Sequence, residues 1–419
     1  MSKSLHLLLL LFLLSSIQTH HHHHHKHNHN HNPKNQTSTS LQSNTPDYES
    51  IIRSFGYDFE EHFITTEDGY INSIWRIPSK SKKNYFLSNP NNNNKAILLQ
   101  HGLLDDGWTW FALRENSLPY KLADLGYDVY INHVRGTLFS TGHIDPNKNY
   151  LNFIGPYWDF SFDEFAKFDL TSAINFAKKK SNCEKIDYIG HSQGTLIFFL
   201  KYMLNPDFME KNINKFVGVG TVPNVNNAES YITKFVAEYG ITEKIFVKNF
   251  MRLGIPLGKV ISEVCNLIPN LCGLVVHKVV ENDISTTHMD FPKIAKNIFL
   301  YEPGGTSIQN MRHWIQIFKS KKLLMFDYGS PKLNLEHYGS EFPPEYNQTL
   351  IENYNIKSLV TISNADPFCN PIDTIEFVGK MKKNVTEIFE LNDYNHLDYV
   401  WGEDAVKDLY PKIYEFLKN

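Results

Sequence analysis

A serine, an acid and a histidine occur along this chain in an order that suits acyl transfer. Gly190-His191-Ser192-Gln193-Gly194 follows the apolar β-type run Lys185–Ile189 and precedes the helical-looking run Thr195–Leu204. A strand, a tight turn bounded by glycines and then a helix form a nucleophile elbow, which would lift the Ser192 hydroxyl above a sheet. A serine hydroxyl is a poor nucleophile at neutral pH. It needs an imidazole to take its proton and a carboxylate to orient that imidazole. Asp366 lies just past the late β-type run Leu359–Ser363, and His396 lies just past the final one, Val385–Leu391. The chain order Ser, acid, His therefore assigns Ser192 as nucleophile, Asp366 as orienting acid and His396 as base. Asp373 and Asp393 are rival acids near late strand ends. His191 is a rival base, but its place beside Ser192 turns it away from the hydroxyl. The oxyanion formed on attack needs two N–H donors. The backbone of Gln193 supplies one, and the backbone of Leu103, in the loop His101-Gly102-Leu103, is the candidate for the other. His101 itself reads as a structural histidine packed under the site.

These residues need a scaffold, and the order of elements suggests one. Glu61–Pro78 reads as a hairpin around the turn Glu67-Asp68-Gly69. Ala96–Gln100 and Asp128–Val134 are apolar runs of the kind expected for strands buried on both faces. Helical periods lie between them (Leu118–Leu125) and after them (Phe162–Lys180), before the elbow strand. Phe216–Gly220 continues the sheet. Such alternation implies a mostly parallel sheet with right-handed crossovers and helices on both faces, an α/β fold. The rhythm breaks from about Pro223 to Lys319, where mainly helical, apolar-rich sequence is expected. Leu323–Phe326 and Leu359–Ser363 resume strand character, and Ala405–Leu417 reads as a closing helix. The expected organisation is a core of residues 46–222 and 320–419, with residues 223–319 inserted as a helical cap over the strand ends where ligands bind. Within it Ile245, Phe246, Phe250, Met251 and Leu253 could sheath an acyl chain or simply pack the cap.

Composition narrows the class. The 419 residues are 42% hydrophobic and 14% aromatic, enough for one large α/β domain or one domain with a subdomain. The 41 basic and 45 acidic residues nearly balance, so nucleic acid is not an expected partner. Residues 1–19, with Lys3 and the apolar stretch Leu5–Leu14, read as a signal peptide too short to span a bilayer. No transmembrane segment is expected, and the mature protein should enter the secretory pathway. Residues 20–45 are rich in His and Asn and are expected to be disordered. Asn91–Asn94 reads as a loop insertion. Four cysteines in a secretory context permit disulfides. Cys265 and Cys272, close in sequence, are the expected pair, with Cys183 and Cys369 as free thiols. Asn35, Asn347 and Asn384 head glycosylation sequons. No pattern calls for a metal or a cofactor.

The chain also resembles the acid lipase family of α/β-hydrolases, which includes lysosomal acid lipase and gastric lipase. The segments that carry the resemblance run from His101-Gly102-Leu103-Leu104, Asn132–Gly136 and Tyr157–Glu164 through Gly190–Thr195 to Pro303–Met311, His313-Trp314 and His396–Gly402. The resemblance implies Ser192, Asp366 and His396 as triad, and Leu103 and Gln193 as oxyanion donors. It further implies a mobile lid in the cap and lipid esters of long-chain fatty acids (acylglycerols, and in the lysosomal branch cholesteryl esters) as substrates met at a lipid–water interface. It supports the 265–272 disulfide, and a secreted or lysosomal lumenal location. Pro367-Phe368 stands where the family often has Trp after the acid, and His133-Val134 adds a residue before Arg135. An acyltransferase using the same triad, and a catalytically silent lipid-binding protein, are the rival readings.

Overall fold

The computed structural model describes residues 47–80, 95–227, 247–250, 255–279 and 288–419. Its centre is a nine-stranded mixed sheet. β1 (Glu60–Thr65) and β2 (Tyr70–Ile77) form the antiparallel hairpin expected around Gly69. β3 (Lys95–Gln100), β4 (Tyr127–Asn132), β6 (Ile186–Ser192), β7 (Ile213–Thr221), β10 (Lys357–Ile362) and β11 (Thr386–Glu390) run parallel, in the order β1-β2-β4-β3-β6-β7-β10-β11. The short β5 (Gly142–His143) pairs with β2.

The central strands are apolar throughout because both their faces are covered. Alternate residues enter opposite cores: Ile97, Leu99, Val129, Ile131, Ile189 and Val217 on one side, and Ala96, Leu98, Tyr130, Tyr188 and Phe216 on the other. The first core is closed by the helix Leu118–Asp124 and the C-terminal helices, the second by Leu170–Ser181 and Gln193–Leu204. The hairpin is fastened by Arg135, which is buried beneath Tyr70. Its guanidinium donates to Asp169 at 2.9 Å and to Asp68 at 2.8 Å, so the strand end Asn132–Gly136 has a structural task.

Several expectations are corrected. The apolar run Leu323–Phe326 joins no sheet, since Leu324 makes only an isolated bridge to Glu345. The closing helix is two, Ala405–Asp408 and Tyr410–Lys418, because Pro411 has no N–H to continue the first and suits the opening turn of the second. The helix at Phe162 starts with a Ser161/Glu164 capping box, passes through a π-helical turn over Phe165–Asp169, and is α-helical over Leu170–Ser181. Helices Pro206–Asn212 and Pro331–Tyr338 were not expected, although Asn205-Pro206 and Ser330-Pro331 are N-cap signals.

Between β7 and β10 the described chain is mainly helical. β8 (Asn249–Phe250) pairs antiparallel with β9 (Thr306–Ser307). Helices Ile255–Leu267, Pro269–Val279 and Phe291–Ile298 pack together, and a Cys265–Cys272 disulfide joins the first two. Helix Ile308–Ser320 follows β9. This group sits on the loops beyond the strand ends. Trp108 Nε1 donates to Asn297 O at 2.8 Å, Asn297 Nδ2 donates to Phe111 O at 2.9 Å, and Glu403 N donates to His288 O at 2.9 Å. Phe250, a candidate acyl-chain residue, lies half-buried in β8. Ile245, Phe246, Met251 and Leu253 lie outside the described residues, as do residues 1–45 with Asn35, and Asn91–Asn94.

Candidate active site

β6 ends at Ser192, and the next residue already belongs to the helix Gln193–Leu204. That reversal leaves no room for ordinary backbone. Ser192 has φ 53° and ψ −119°, a costly conformation for a residue with a side chain. The two flanking glycines explain how it fits. A Cβ on Gly190 would lie 2.8 Å from the Gly194 carbonyl carbon, and one on Gly194 would lie 2.5 Å from Gln100 O. Thr195 braces the turn: its hydroxyl donates to Ser192 O at 2.7 Å and accepts from Val222 N at 2.8 Å.

The strand ends bring the candidate triad together across 204 residues of sequence. His396 Nε2 lies 2.8 Å from Ser192 Oγ. His396 Nδ1 lies 3.0 Å and 3.2 Å from the two Asp366 oxygens. The carboxylate fixes the tautomer: Nδ1–H donates to Asp366, which leaves Nε2 to accept from the serine hydroxyl. Burial alone would push the Asp366 pKa up. The adjacent imidazole and the N–H groups of Phe368 and Cys369 outweigh it and hold the carboxyl below its ordinary value. Ser192 and His396 are only 8% and 7% exposed, so water reaches them poorly.

The rivals lie elsewhere. Asp373 accepts from Asn227 N at 2.9 Å and so braces the chain after β7, while Asp393 takes no part in the triad hydrogen bonds. His191 Nε2 meets His396 O at 3.1 Å rather than the hydroxyl. His101 is structural, as expected: Nδ1–H donates to Gly102 O at 2.9 Å and Nε2 accepts from Val134 N at 3.2 Å. Burial lowers its pKa to about 4, so it stays neutral.

Two chain segments border the serine where an oxyanion would form. Gln193 opens a buried helix, whose N-terminal N–H groups and dipole favour negative charge. The loop His101–Asp105 passes so close that a Cβ on Gly102 would lie 3.1 Å from Ser192 Cβ. Sequence reasoning missed what holds these segments. Gln193 Oε1 accepts from Trp314 Nε1 at 2.7 Å and from Asn310 Nδ2 at 3.0 Å, both on the helix Ile308–Ser320. Leu104 O accepts from Gly304 N at 2.7 Å and from Gly305 N at 3.2 Å. Trp314, Asn310 and the two glycines all lie in motif segments of the sequence, but no local pattern shows what they touch.

Sequence reasoning assigned no site role to Phe368, whose ring centroid is 4.9 Å from that of His396, or to Cys369, which is a free thiol as expected. The Cys369 thiol donates to Gly220 O at 3.0 Å and lies 3.3 Å from His396 Nδ1. Asp366, Cys369 and His396 thus gather three potential metal donors within 4.8 Å. Burial raises the Cys369 thiol well above its ordinary value, so it stays protonated and is a poor ligand. Asn347 and Asn384 are both exposed, as sequons must be for modification.

A family model described as a partial alpha/beta-hydrolase lipase region matches residues 48–113, and one described as the alpha/beta hydrolase fold matches residues 95–238. Gastric triacylglycerol lipase of Homo sapiens is 34% identical over 384 residues, covering 90% of this chain and 92% of that protein. Lysosomal acid lipase/cholesteryl ester hydrolase of Homo sapiens is 32% identical over 377 residues, covering 88% of this chain and 90% of that protein. A solved structure from Acinetobacter baumannii shares the fold with a TM-score of 0.51 at 12% identity, covering 90% of this chain and 99% of that one.

Proposed function

The chain belongs to the family of gastric triacylglycerol lipase and lysosomal acid lipase/cholesteryl ester hydrolase, and from that premise we propose that it hydrolyses long-chain fatty acyl esters through Ser192, His396 and Asp366. It is a serine ester hydrolase of the lipase type. The observation that carries the assignment of residues is His396 lying between Ser192 Oγ at 2.8 Å and Asp366 at 3.0 Å. In this reading His396 Nε2 takes the Ser192 proton as the oxygen attacks the ester carbonyl. Asp366 stabilises the imidazolium that results. The N–H groups of Gln193 and Leu103 receive the oxyanion. His396 then protonates the leaving alcohol, and water clears the acyl-enzyme by the same steps.

The helices between β8 and β9 serve in the cap of residues 223–319, and their outward face supports a lipid surface as partner. Val260, Val264, Leu267, Ile268, Leu271 and Leu274 are all exposed, Leu267 at 79%. Six apolar side chains on two disulfide-linked helices and the turn between them are more than scattered surface residues. No described helix is long and apolar enough to cross a membrane. The relatives' names suit a secreted or lysosomal lumenal enzyme.

The test compares wild-type protein with Ser192→Ala on triacylglycerol, cholesteryl ester and a short-chain ester from pH 4 to 8. Free fatty acid should be the wild-type product, and the variant should lose about 10⁴-fold or more of its turnover while keeping its fold. Undiminished turnover by the variant would remove Ser192 from the mechanism. Transfer of the acyl group to added sterol instead of water would make the protein an acyltransferase.

A further inference from the structure

Where the oxyanion loop meets the cap stem, residues 302–305, two buried acidic residues meet: Glu302 reaches the backbone N–H of Asp106. We propose that a proton shared between Asp106 and Glu302 locks the oxyanion loop in its working position, and that loss of this proton slackens the loop and lowers turnover at alkaline pH. The proposal rests on the triad reading above, because it concerns the loop that borders Ser192.

The geometry favours a shared proton. Asp106 is fully buried and Glu302 is 2% exposed. Asp106 Oδ2 is buried and meets no hydrogen-bond donor among the described residues. A buried carboxylate oxygen with no donor, beside a second buried carboxyl group, is relieved of its charge by a proton held between the two. The remaining contacts stitch two segments together across 196 residues. Glu302 Oε1 accepts from Asp106 N at 3.1 Å, and Glu302 Oε2 accepts from Gly304 N at 2.9 Å. Asp106 Oδ1 accepts from Trp108 N at 2.7 Å. The same stem donates from Gly304 and Gly305 to Leu104 O, one residue from the Leu103 N–H assigned to the oxyanion. No room exists to slip apart gently: a Cβ on Gly304 would lie 2.8 Å from Asp106 Cβ.

Among the described residues packed against the pair, none offers a cation to neutralise a second charge. The loop itself adds Asp105, another carboxyl, whose Oδ2 lies 3.6 Å from His191 Nδ1. His133, at the end of β4, accepts from Gly107 N and is kept neutral by burial, as is His101 after β3. Tyr301, beside Glu302, is a neutral phenol raised by burial. Burial first, then the charge of Asp105, pushes Asp106 above the ordinary carboxyl range, and burial with the charges of Asp106 and Asp105 does the same to Glu302. Groups whose folded pKa is raised stabilise most below the unfolded value, and that stability drains away as pH rises through the folded value. The lock is therefore closed in acid and opens toward alkaline pH.

The test measures kcat and KM on a soluble short-chain ester from pH 4 to 9 for wild type, Glu302→Gln and Asp106→Asn, with the thermal midpoint at each pH. An amide keeps a hydrogen bond without a titrating proton. Wild type should lose kcat roughly three- to tenfold toward pH 9 with little change in KM, less than the full loss of an oxyanion donor. Its thermal midpoint should fall over the same interval. In either variant the alkaline limb should shift upward or vanish. A wild-type midpoint that is flat between pH 5 and 9 would overturn the proposal without reference to any variant. So would variants whose alkaline limb follows that of wild type. Ser192→Ala in the same series separates the two readings: turnover surviving in that variant would sink the triad, whereas the midpoints would still report whether the pair titrates.

Discussion

Two sets of buried acids lie on either side of the same site, and their pKa values are displaced in opposite directions. At the end of β10, Asp366 faces an imidazole and two backbone N–H groups, and its pKa is held down. At the oxyanion loop, Asp106 faces Glu302 with Asp105 nearby, and its pKa is pushed up. Residue type and burial are alike in the two places. What differs is the partner: a group that becomes a cation in one case, another acid in the other. Burial always penalises charge, so a carboxyl is held down only where its contacts outweigh burial, as at Asp366, and is pushed up where they do not, as at Asp106. The consequence is two pH slopes within one site. The stability supplied by Asp366 is present above the ordinary carboxyl range and fades as pH falls through its lowered value. That of the Asp106–Glu302 pair is present in acid and fades as pH rises.

The largest predicted break in this contrast comes from Asp366→Asn. An amide cannot hold Nδ1–H as a carboxylate does, so the imidazole loses its tautomer, and kcat should fall about 10⁴-fold. Ester turnover by the purified variant checks this, and a loss below tenfold would count against Asp366 as the orienting acid. A smaller effect is expected when the charge of the opposing pair is removed. Glu302→Gln should flatten the alkaline fall of the thermal midpoint while leaving the acid side, which Asp366 governs, as in wild type. Scanning calorimetry at pH 4, 6 and 8 reads both limbs. The smallest change should follow Cys369→Ser. The thiol lies beside the imidazole but stays protonated and bonds to Gly220 O, so kcat should stay within about threefold of wild type. A tenfold or greater change would make Cys369 part of the site's working electrostatics.

Much of the scaffold was readable because its signals are local. Parallel strands buried on both faces read as apolar runs, which is why Ala96–Gln100 and the elbow strand stood out. The nucleophile elbow is a single short segment with glycines forced by contacts of 2.5 to 2.8 Å. Asp366 and His396 could be named from their places after the last two strands of the sheet. The failures have equally physical causes. Leu323–Phe326 is as apolar as a strand, but strand formation needs a partner edge, and only Leu324 finds one. The π-helical turn at Phe165–Asp169 changes hydrogen-bond register without changing composition. The Gln193 contacts with Asn310 and Trp314, and the meeting of Asp106 with Glu302, each join residues more than 100 positions apart. Contacts at that range leave no trace in spacing.

The account turns on the serine oxygen accepting an acyl group while His396 takes its proton, and chemical trapping reads that event directly. Wild-type protein and His396→Ala would be acid-quenched during turnover of a chromogenic ester, digested and analysed by mass spectrometry. The acyl mass should appear in wild type on the peptide containing Ser192, and the variant should acquire it orders of magnitude more slowly. An acyl group on another residue, or equal acylation of Ser192 in the two proteins, would contradict the account.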